Sequence, residues 1–254
     1  MLTGFRKLAI HTWHTPTYPG IYTRLTLDYT PWRSYLQRHY PRTGITVTHV
    51  IAHIFGQLLH AHPQLNRRIR WGRLEQRQHV RVFMPVHLRT RSGYDLSGIT
   101  IVCPPDTPLP ALSQAIRQSV SDLKTNPQHA LHKTYALIRF LPVLITRPLL
   151  RSIAFITETL RWSLPYCPTD PFGSIIISSL GTLGLSDAYI PLYPLARQAL
   201  LIAVGRPYET DAGQWRVTLS LTLDHRYVDG ADLVRPLAHL KRLMAYPDAR
   251  VAPA

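Results

Sequence analysis

The spacing of apolar and polar residues changes repeatedly along the chain and predicts strands interleaved with helices. Strict alternation in IYTRLTLD, residues 21–28, predicts a strand. Apolar residues three and four apart in VTHVIAHIFGQLLHAHP predict a buried helix that ends at Pro63. Later in the chain, the apolar runs SIIISS and ALLIAV and the alternating WRVTLSLTLD predict further strands, and PLAHLKRLM predicts the last helix. Since no repeat or linker divides the chain, we expect one α/β domain with a mixed β-sheet.

The segment from Thr134 to Cys167 is more apolar than its surroundings. Its apolar residues have a roughly helical period, which arginines interrupt and which Pro142 and Pro148 are expected to kink or break. So many arginines are incompatible with a bilayer span. Two interpretations remain. The segment is either a pair of short helices packed on the domain, or an interfacial helix or cover over a lipid-like substrate, with its arginines at the headgroup level.

The formal net charge of +15 is the unusual feature of the composition, and almost all of it comes from arginine. The guanidinium fork suits phosphates and carboxylates, so nucleic acid, an anionic membrane face and coenzyme A are all compatible partners. The chain has no helix-turn-helix, zinc-finger or RNA-recognition motif, and nucleic-acid binding is therefore not expected.

Cys103 and Cys167 lie far apart, without the spacing of a metal site, and we expect two reduced, structural thiols and no bound metal. There is no signal-peptide pattern and no apolar run long enough to cross a bilayer. A cytoplasmic protein, soluble or in peripheral contact with the membrane, is the expectation. Residues 247–254 are predicted to form a flexible tail.

The stretch LDHRYVDGADLV places His225 where the last strand gives way to a loop and a helix. A histidine at the end of a rigid strand could take a proton from a thiol or a hydroxyl. Gly230 would let the backbone approach another group closely. By itself the motif is weak, because a single histidine beside a strand is usually structural.

Several motifs together resemble one family. DHRYVDG, which has the form DHRxxDG just before the last helix, resembles the catalytic motif of the dihydrolipoyl acyltransferase components of the 2-oxoacid dehydrogenase complexes, and the related chloramphenicol acetyltransferases share its HxxxDG core. FGSIIISSLGTLG, YTRLTLDYTPWRSYL and the helix that ends in Pro63, Leu65 and Asn66 are similar to further segments of the family. The resemblance extends from about residue 5 to residue 246, except in the 130s to 160s.

The resemblance implies a chloramphenicol acetyltransferase-like, two-layer α+β fold that forms trimers, and a role for each matching residue. His225 would be the general base and Ser178 the donor to the oxyanion. Asp229 would support the site, with Arg6 as its candidate partner. The flanking Asp224, Arg226 and Gly230 would be structural. Each active site would lie between two subunits, with the base from one chain and the serine from its neighbour, and the acceptor would attack the thioester directly without an acyl-enzyme.

The chain departs from the family at two points. It begins at the catalytic domain, assigned to residues 1–246, without a lipoyl or subunit-binding domain or a lipoyl group, and it carries the hydrophobic insert at about 134–167. We therefore expect a free-standing, acyl-CoA-dependent transferase, assembled as a homotrimer or a multiple of trimers. Its acceptor would be a hydrophobic thiol, hydroxyl or amine. The alternative is a non-catalytic trimer or cage scaffold. The arginines of RRIRWGRLEQRQHVR would either bind the coenzyme's phosphates or form a solvated basic hairpin.

Overall fold

The computed structural model describes residues 18–90, 93–125, 142–164, 169–194 and 196–249. Arg6 and Cys167 lie outside these ranges, as do the first eight residues of the predicted insert and the last five of the predicted tail. Of that tail, the start is placed: the Ala249 backbone N–H donates to the Tyr246 carbonyl at 2.9 Å. In the described ranges no helix combines the length and apolar character that crossing a bilayer requires.

Seven strands form the main sheet, in the order β1-β9-β7-β6-β4-β5, with β8 paired to the outer part of β9. Strand β6 runs parallel to β4 and to β7, whereas the other pairs are antiparallel. The predicted mixed sheet is confirmed. A separate hairpin is formed by β2 and β3. The strands are β1 (Gly20–Asp28), β2 (Arg67–Arg70), β3 (Arg73–Gln76), β4 (Arg81–Thr90), β5 (Gly93–Val102), β6 (Ile175–Ser179), β7 (Leu200–Val204), β8 (Tyr208–Glu209) and β9 (Trp215–Asp224).

Helices cover one face of this sheet, and the main core lies between the two layers. The helices are α1 (Thr30–His39), α2 (Val47–Ala61), α3 (Leu109–Thr125), α4 (Val143–Ala154) and α5 (Gly230–Ala245). Helix α2 is buried almost all round, since it packs on α3, α5 and the central strands. This accounts for its continuous apolar sequence. Alternate residues of the central strands point into the same core, as the period-two pattern predicts.

The opposite face of the sheet has a smaller apolar cluster. Phe83, Ile176 and Leu201 form its centre, and side chains of the proline-rich loop before β7 pack against them. Because successive residues of a strand point to opposite faces, Ser178 lies on this face together with Ile176. The oxyanion candidate is therefore on the side of the sheet that the helices leave open.

In the described part of the insert, residues 142–164, helical structure is continuous from residue 143 to residue 160. Helix α4 passes through Pro148 and continues as a π-helical turn from Phe155 to Leu160. The predicted pair of short helices stays a prediction, since the first eight residues of the insert lie outside the described ranges. Pro142 lies at the N-cap, where its missing N–H is of no consequence, and Pro148 is accommodated within the helix.

A buried cluster of charges joins the π-helical turn to the sheet. Asp170, 4% exposed, pairs with Arg77 and with Arg81, the latter at 2.8 Å. Glu75 contacts Arg68 and Arg70. Most of the arginines that were predicted either to bind coenzyme phosphates or to be solvated thus form ion pairs with carboxylates of the same chain. Arg73 is the arginine of the hairpin that is exposed.

The buried His49 makes the fold sensitive to acid. Its Nδ1 accepts the Thr46 backbone N–H at 3.2 Å and lies 3.0 Å from the Ser113 hydroxyl, so this nitrogen carries no proton. Burial, and then the charge of Arg117, lower the pKa of His49 from 6.5 to about 4.

Since the unfolded chain binds this proton first, the free energy of unfolding should fall as the pH drops from about 6.5 towards 4, by about 3 kcal/mol from this group. The variant His49→Asn keeps an acceptor but does not titrate. We expect urea unfolding at pH 7 and pH 4.5 to show a smaller loss in the variant than in the wild type. Equal losses in the two proteins would contradict the assignment.

Candidate active site

His225 lies in the turn that directly follows β9. Its backbone N–H donates to the Pro19 carbonyl at 2.9 Å, and its Nδ1 lies 3.1 Å from the Val228 carbonyl oxygen. Because a carbonyl oxygen only accepts, Nδ1 carries the proton, and Nε2 is the basic nitrogen of the neutral ring. The half-buried ring therefore has a fixed orientation and the tautomer that a general base requires.

Buried polar contacts hold this turn in place. Asp224, 2% exposed, accepts from the Arg226 side chain, with Nη2 at 2.6 Å and Nε at 3.0 Å. The Tyr227 hydroxyl accepts the Ile69 backbone N–H at 3.2 Å, and burial raises its pKa to about 12, so that it remains neutral. These contacts tie the turn to both the strand before it and the hairpin, which limits the movement of the imidazole.

Asp229 caps the last helix. Its Oδ1 accepts the backbone N–H groups of Ala231 at 3.0 Å and Asp232 at 3.2 Å, and the Asp232 side chain accepts the Asp229 N–H at 3.0 Å. This reciprocal pair fixes the start of α5 four residues after the histidine. The pairing of Asp229 with Arg6 stays a prediction, since Arg6 lies outside the described residues.

The close backbone approach predicted at Gly230 is not observed. A Cβ added to Gly230 would meet no atom within 4 Å, so the close approach expected of this glycine is not made within the described chain. The reason is its place at the first position of α5, where the backbone is exposed.

The cap gives a direct test of the structural role of Asp229. Asp229→Ala removes the acceptor of two backbone N–H groups and should lower the free energy of unfolding by about 1 kcal/mol. Asp229→Asn keeps an oxygen at the same place and should unfold at nearly the wild-type urea concentration. If the asparagine variant loses as much as the alanine variant, the negative charge rather than the cap holds the helix.

Ser178 lies near the end of β6 and is partly exposed. Its hydroxyl has no hydrogen-bond partner among the residues that the structure describes. The next turn is closed by Leu180, whose N–H donates to the Val204 carbonyl at 2.8 Å, and by the short helix Gly181–Leu183. The role of Ser178 as an oxyanion donor, rather than as a core serine bonded to backbone, stays a prediction.

The strand register separates Ser178 from His225 within one chain. Ser178 is level with Ala203, and Ala203 is level with Ser220 on β9. His225 lies five residues beyond Ser220, which is about 17 Å along the strand direction, and the two strands are separated by β7. One thioester carbonyl cannot contact both side chains of the same chain, because each contact requires about 3 Å.

Two groups that hold the histidine are backbone carbonyls, those of Pro19 and Val228. Side-chain motifs do not reveal them. The one sequence feature that could have indicated the Val228 contact is its position, three residues after His225 in a tight turn before a capped helix.

Comparison with known proteins agrees with this geometry. Residues 172–251 match the family described as 2-oxoacid dehydrogenases acyltransferase (catalytic domain), and this range contains both Ser178 and His225. No curated protein sequence matches the chain.

Solved structures share the fold across almost the whole chain. A truncated catalytic core of the 2-oxoacid dehydrogenase multienzyme complex from Thermoplasma acidophilum is 21% identical, with 98% of each chain covered and a TM-score of 0.64. The dihydrolipoamide acetyltransferase of Azotobacter vinelandii is 17% identical over 90% of this chain and 82% of that one, with a TM-score of 0.61. A chloramphenicol acetyltransferase is 14% identical over 95% and 96%, with a TM-score of 0.53.

The Azotobacter structure was determined in an investigation of a serine, a histidine and an asparagine in the catalytic mechanism of that enzyme. The predicted chloramphenicol acetyltransferase-like fold is confirmed, and residues 172–251 are similar to the catalytic domain of the 2-oxoacid dehydrogenase acyltransferases.

Proposed function

We propose that this protein transfers an acyl group from acyl-CoA to a hydrophobic thiol, hydroxyl or amine acceptor. The observation that carries the proposal is the state of His225: its Nδ1 is held by the Val228 carbonyl, which leaves Nε2 as the base.

The reaction would be a direct attack. His225 removes the proton of the acceptor as its sulfur, oxygen or nitrogen attacks the thioester carbonyl, and a tetrahedral oxyanion forms. The Ser178 hydroxyl donates a hydrogen bond to that oxygen, and collapse of the intermediate releases the CoA thiolate, which takes the proton from the imidazolium. No side chain is acylated, so Ser178 acts as a donor and not as a nucleophile.

The register supports a site built from two chains. Since His225 and Ser178 of one chain are about 17 Å apart along the sheet, the base of one subunit must meet the serine of another. A cyclic homotrimer satisfies this requirement three times with identical contacts. We therefore propose that the active unit is a trimer or a multiple of trimers, and a cytoplasmic location remains our expectation.

Arg73 and the other exposed arginines favour a phosphate-rich donor such as acyl-CoA over a small ester. The hydrophobic acceptor is proposed from the apolar segment 142–164, which precedes the strand that carries Ser178.

Purified protein incubated with a set of acyl-CoAs and with hydrophobic thiol, hydroxyl and amine acceptors tests the proposal. We expect acceptor-dependent release of free CoA, detected by mass, together with the acylated product. If no pair releases CoA and the protein still assembles normally on sizing, the scaffold alternative replaces the enzyme.

A further inference from the structure

Helix α4 and the π-helical turn that follows it expose several large apolar side chains. Leu144 is 87% exposed, Ile145 51% and Phe155 45%. The most buried residues of this segment are instead polar, namely Thr146, Thr157, Glu158 and Thr159, while Leu149, Ile153 and Ile156 are partly buried. A helix that only packed on the domain would bury the first group and expose the second.

The exposed residues form a stripe along the helix. Leu144, Pro148, Arg151 and Phe155 follow one another at spacings of four, three and four, which places them on one side. The stripe is about 16 Å long at the rise of a helix. The residues of this stripe are thus apolar except for Arg151, and the polar Ser152 is exposed beside it.

The tip of the β2-β3 hairpin extends this stripe. Trp71, 61% exposed, packs edge-on against Phe155, with ring centroids 5.7 Å apart and planes at 89°. Trp71 adopts a left-handed φ of 49° at the turn of the hairpin. We name the combined surface of Trp71, Leu144, Arg151 and Phe155 the outer face.

Polar contacts under the helix hold the outer face in position. The Arg70 Nε donates to the Thr159 carbonyl, and the Arg197 Nη2 donates to the Thr159 hydroxyl at 2.8 Å. Glu158, 2% exposed, lies among the buried arginines of the sheet edge. These buried contacts prevent the helix from rolling to hide its apolar side.

The charges around the outer face have one sign. Arg73, Arg151 and Arg161 are exposed, whereas the carboxylates of the described hairpin and helix are neutralised or buried: Glu75 contacts Arg68 and Arg70, and Glu158 is enclosed. With a net charge of +15 on the chain, an anionic surface would be attracted to this face.

We infer that the outer face binds the surface of a membrane that contains anionic lipids. The aromatic and aliphatic side chains enter the boundary between headgroups and acyl chains, and the exposed arginines bind the lipid phosphates. The helix lies along the membrane plane. This inference is independent of the acyl transfer, because the binding needs neither acyl-CoA nor an intact catalytic site.

Flotation of the full chain with phosphatidylcholine vesicles, with and without phosphatidylglycerol, tests this inference. We expect binding to the anionic vesicles that weakens as salt is added. Leu144→Gln and Phe155→Gln, made singly, should each lower the partition coefficient roughly tenfold, since each removes apolar area from the contact. Trp71→Asn suits the left-handed backbone and should have a similar effect.

Tyr246→Gln is the matched control, because Tyr246 is 65% exposed but follows the last helix and is outside the outer face. It should bind vesicles like the wild type. The inference is overturned if the outer-face variants float as well as the wild type, or if they change the oligomeric mass instead, which would make this face a contact between copies. Binding to phosphatidylcholine that is equal to binding to phosphatidylglycerol would also overturn it.

Discussion

His225→Ala is expected to lower turnover with acyl-CoA roughly a hundredfold to ten-thousandfold, the range typical of the loss of a general base. The loss should appear in kcat, because Nε2 removes its proton during the attack. The backbone contacts of the turn, from His225 N–H to the Pro19 carbonyl and from Tyr227 to Asp224, do not involve the imidazole, so the fold should persist. Steady-state release of CoA measures the effect.

His79→Ala provides the control. His79 is an exposed histidine in the loop before β4, and the contacts recorded for it use its backbone carbonyl, which alanine retains. This variant should turn over like the wild type. If His225→Ala keeps wild-type turnover while both variants assemble normally on sizing, His225 is not the base and the proposed mechanism fails.

Ser178→Ala should lower turnover by about a hundredfold to a thousandfold, as expected for one oxyanion donor. The stronger experiment combines it with His225→Ala in the same trimers. A site built from two chains is intact when the Ser178→Ala subunit supplies the histidine and the His225→Ala subunit supplies the serine. Random assembly of equal amounts should therefore restore about a quarter of the wild-type sites.

The two variants must be co-expressed, or refolded together, so that their subunits mix. Combining the preassembled proteins without exchange should give no recovery. Ser179→Ala, the neighbouring serine on the other side of the strand, should remain active both alone and in mixtures. If co-assembled variants recover no activity and mass analysis shows that mixed trimers formed, the proposed two-chain site is wrong.

Strands β1 and β9 could be predicted from their alternating residues, and β6 and β7 from continuous apolar runs, which suit strands at the centre of a sheet. The position of His225 at a strand end followed from the same pattern. Its separation from Ser178 did not, since that distance depends on β7 lying between their strands and on β9 running antiparallel to it. Strand order and direction are set by contacts between residues far apart in the sequence.

For the insert, prediction from the sequence is limited in a different way. Its helical period was visible in the sequence, but periodicity does not say which side of a helix faces the protein. That choice depends on Glu158 and Thr159, whose partners are arginines of distant strands and loops. For Asp229 the sequence suggested a role in the site, and the structure shows that it also caps the last helix. The three-residue spacing between Asp229 and Asp232 is compatible with such a cap.

The five-residue offset between Ser178 and His225 has a consequence for how the protein behaves when it is scarce. On the proposed mechanism a lone subunit carries two half-sites that never meet, so specific activity should collapse when the protein is diluted below the concentration at which its subunits associate. Expression level would then control the reaction twice, through the number of chains and through the fraction of them that is assembled.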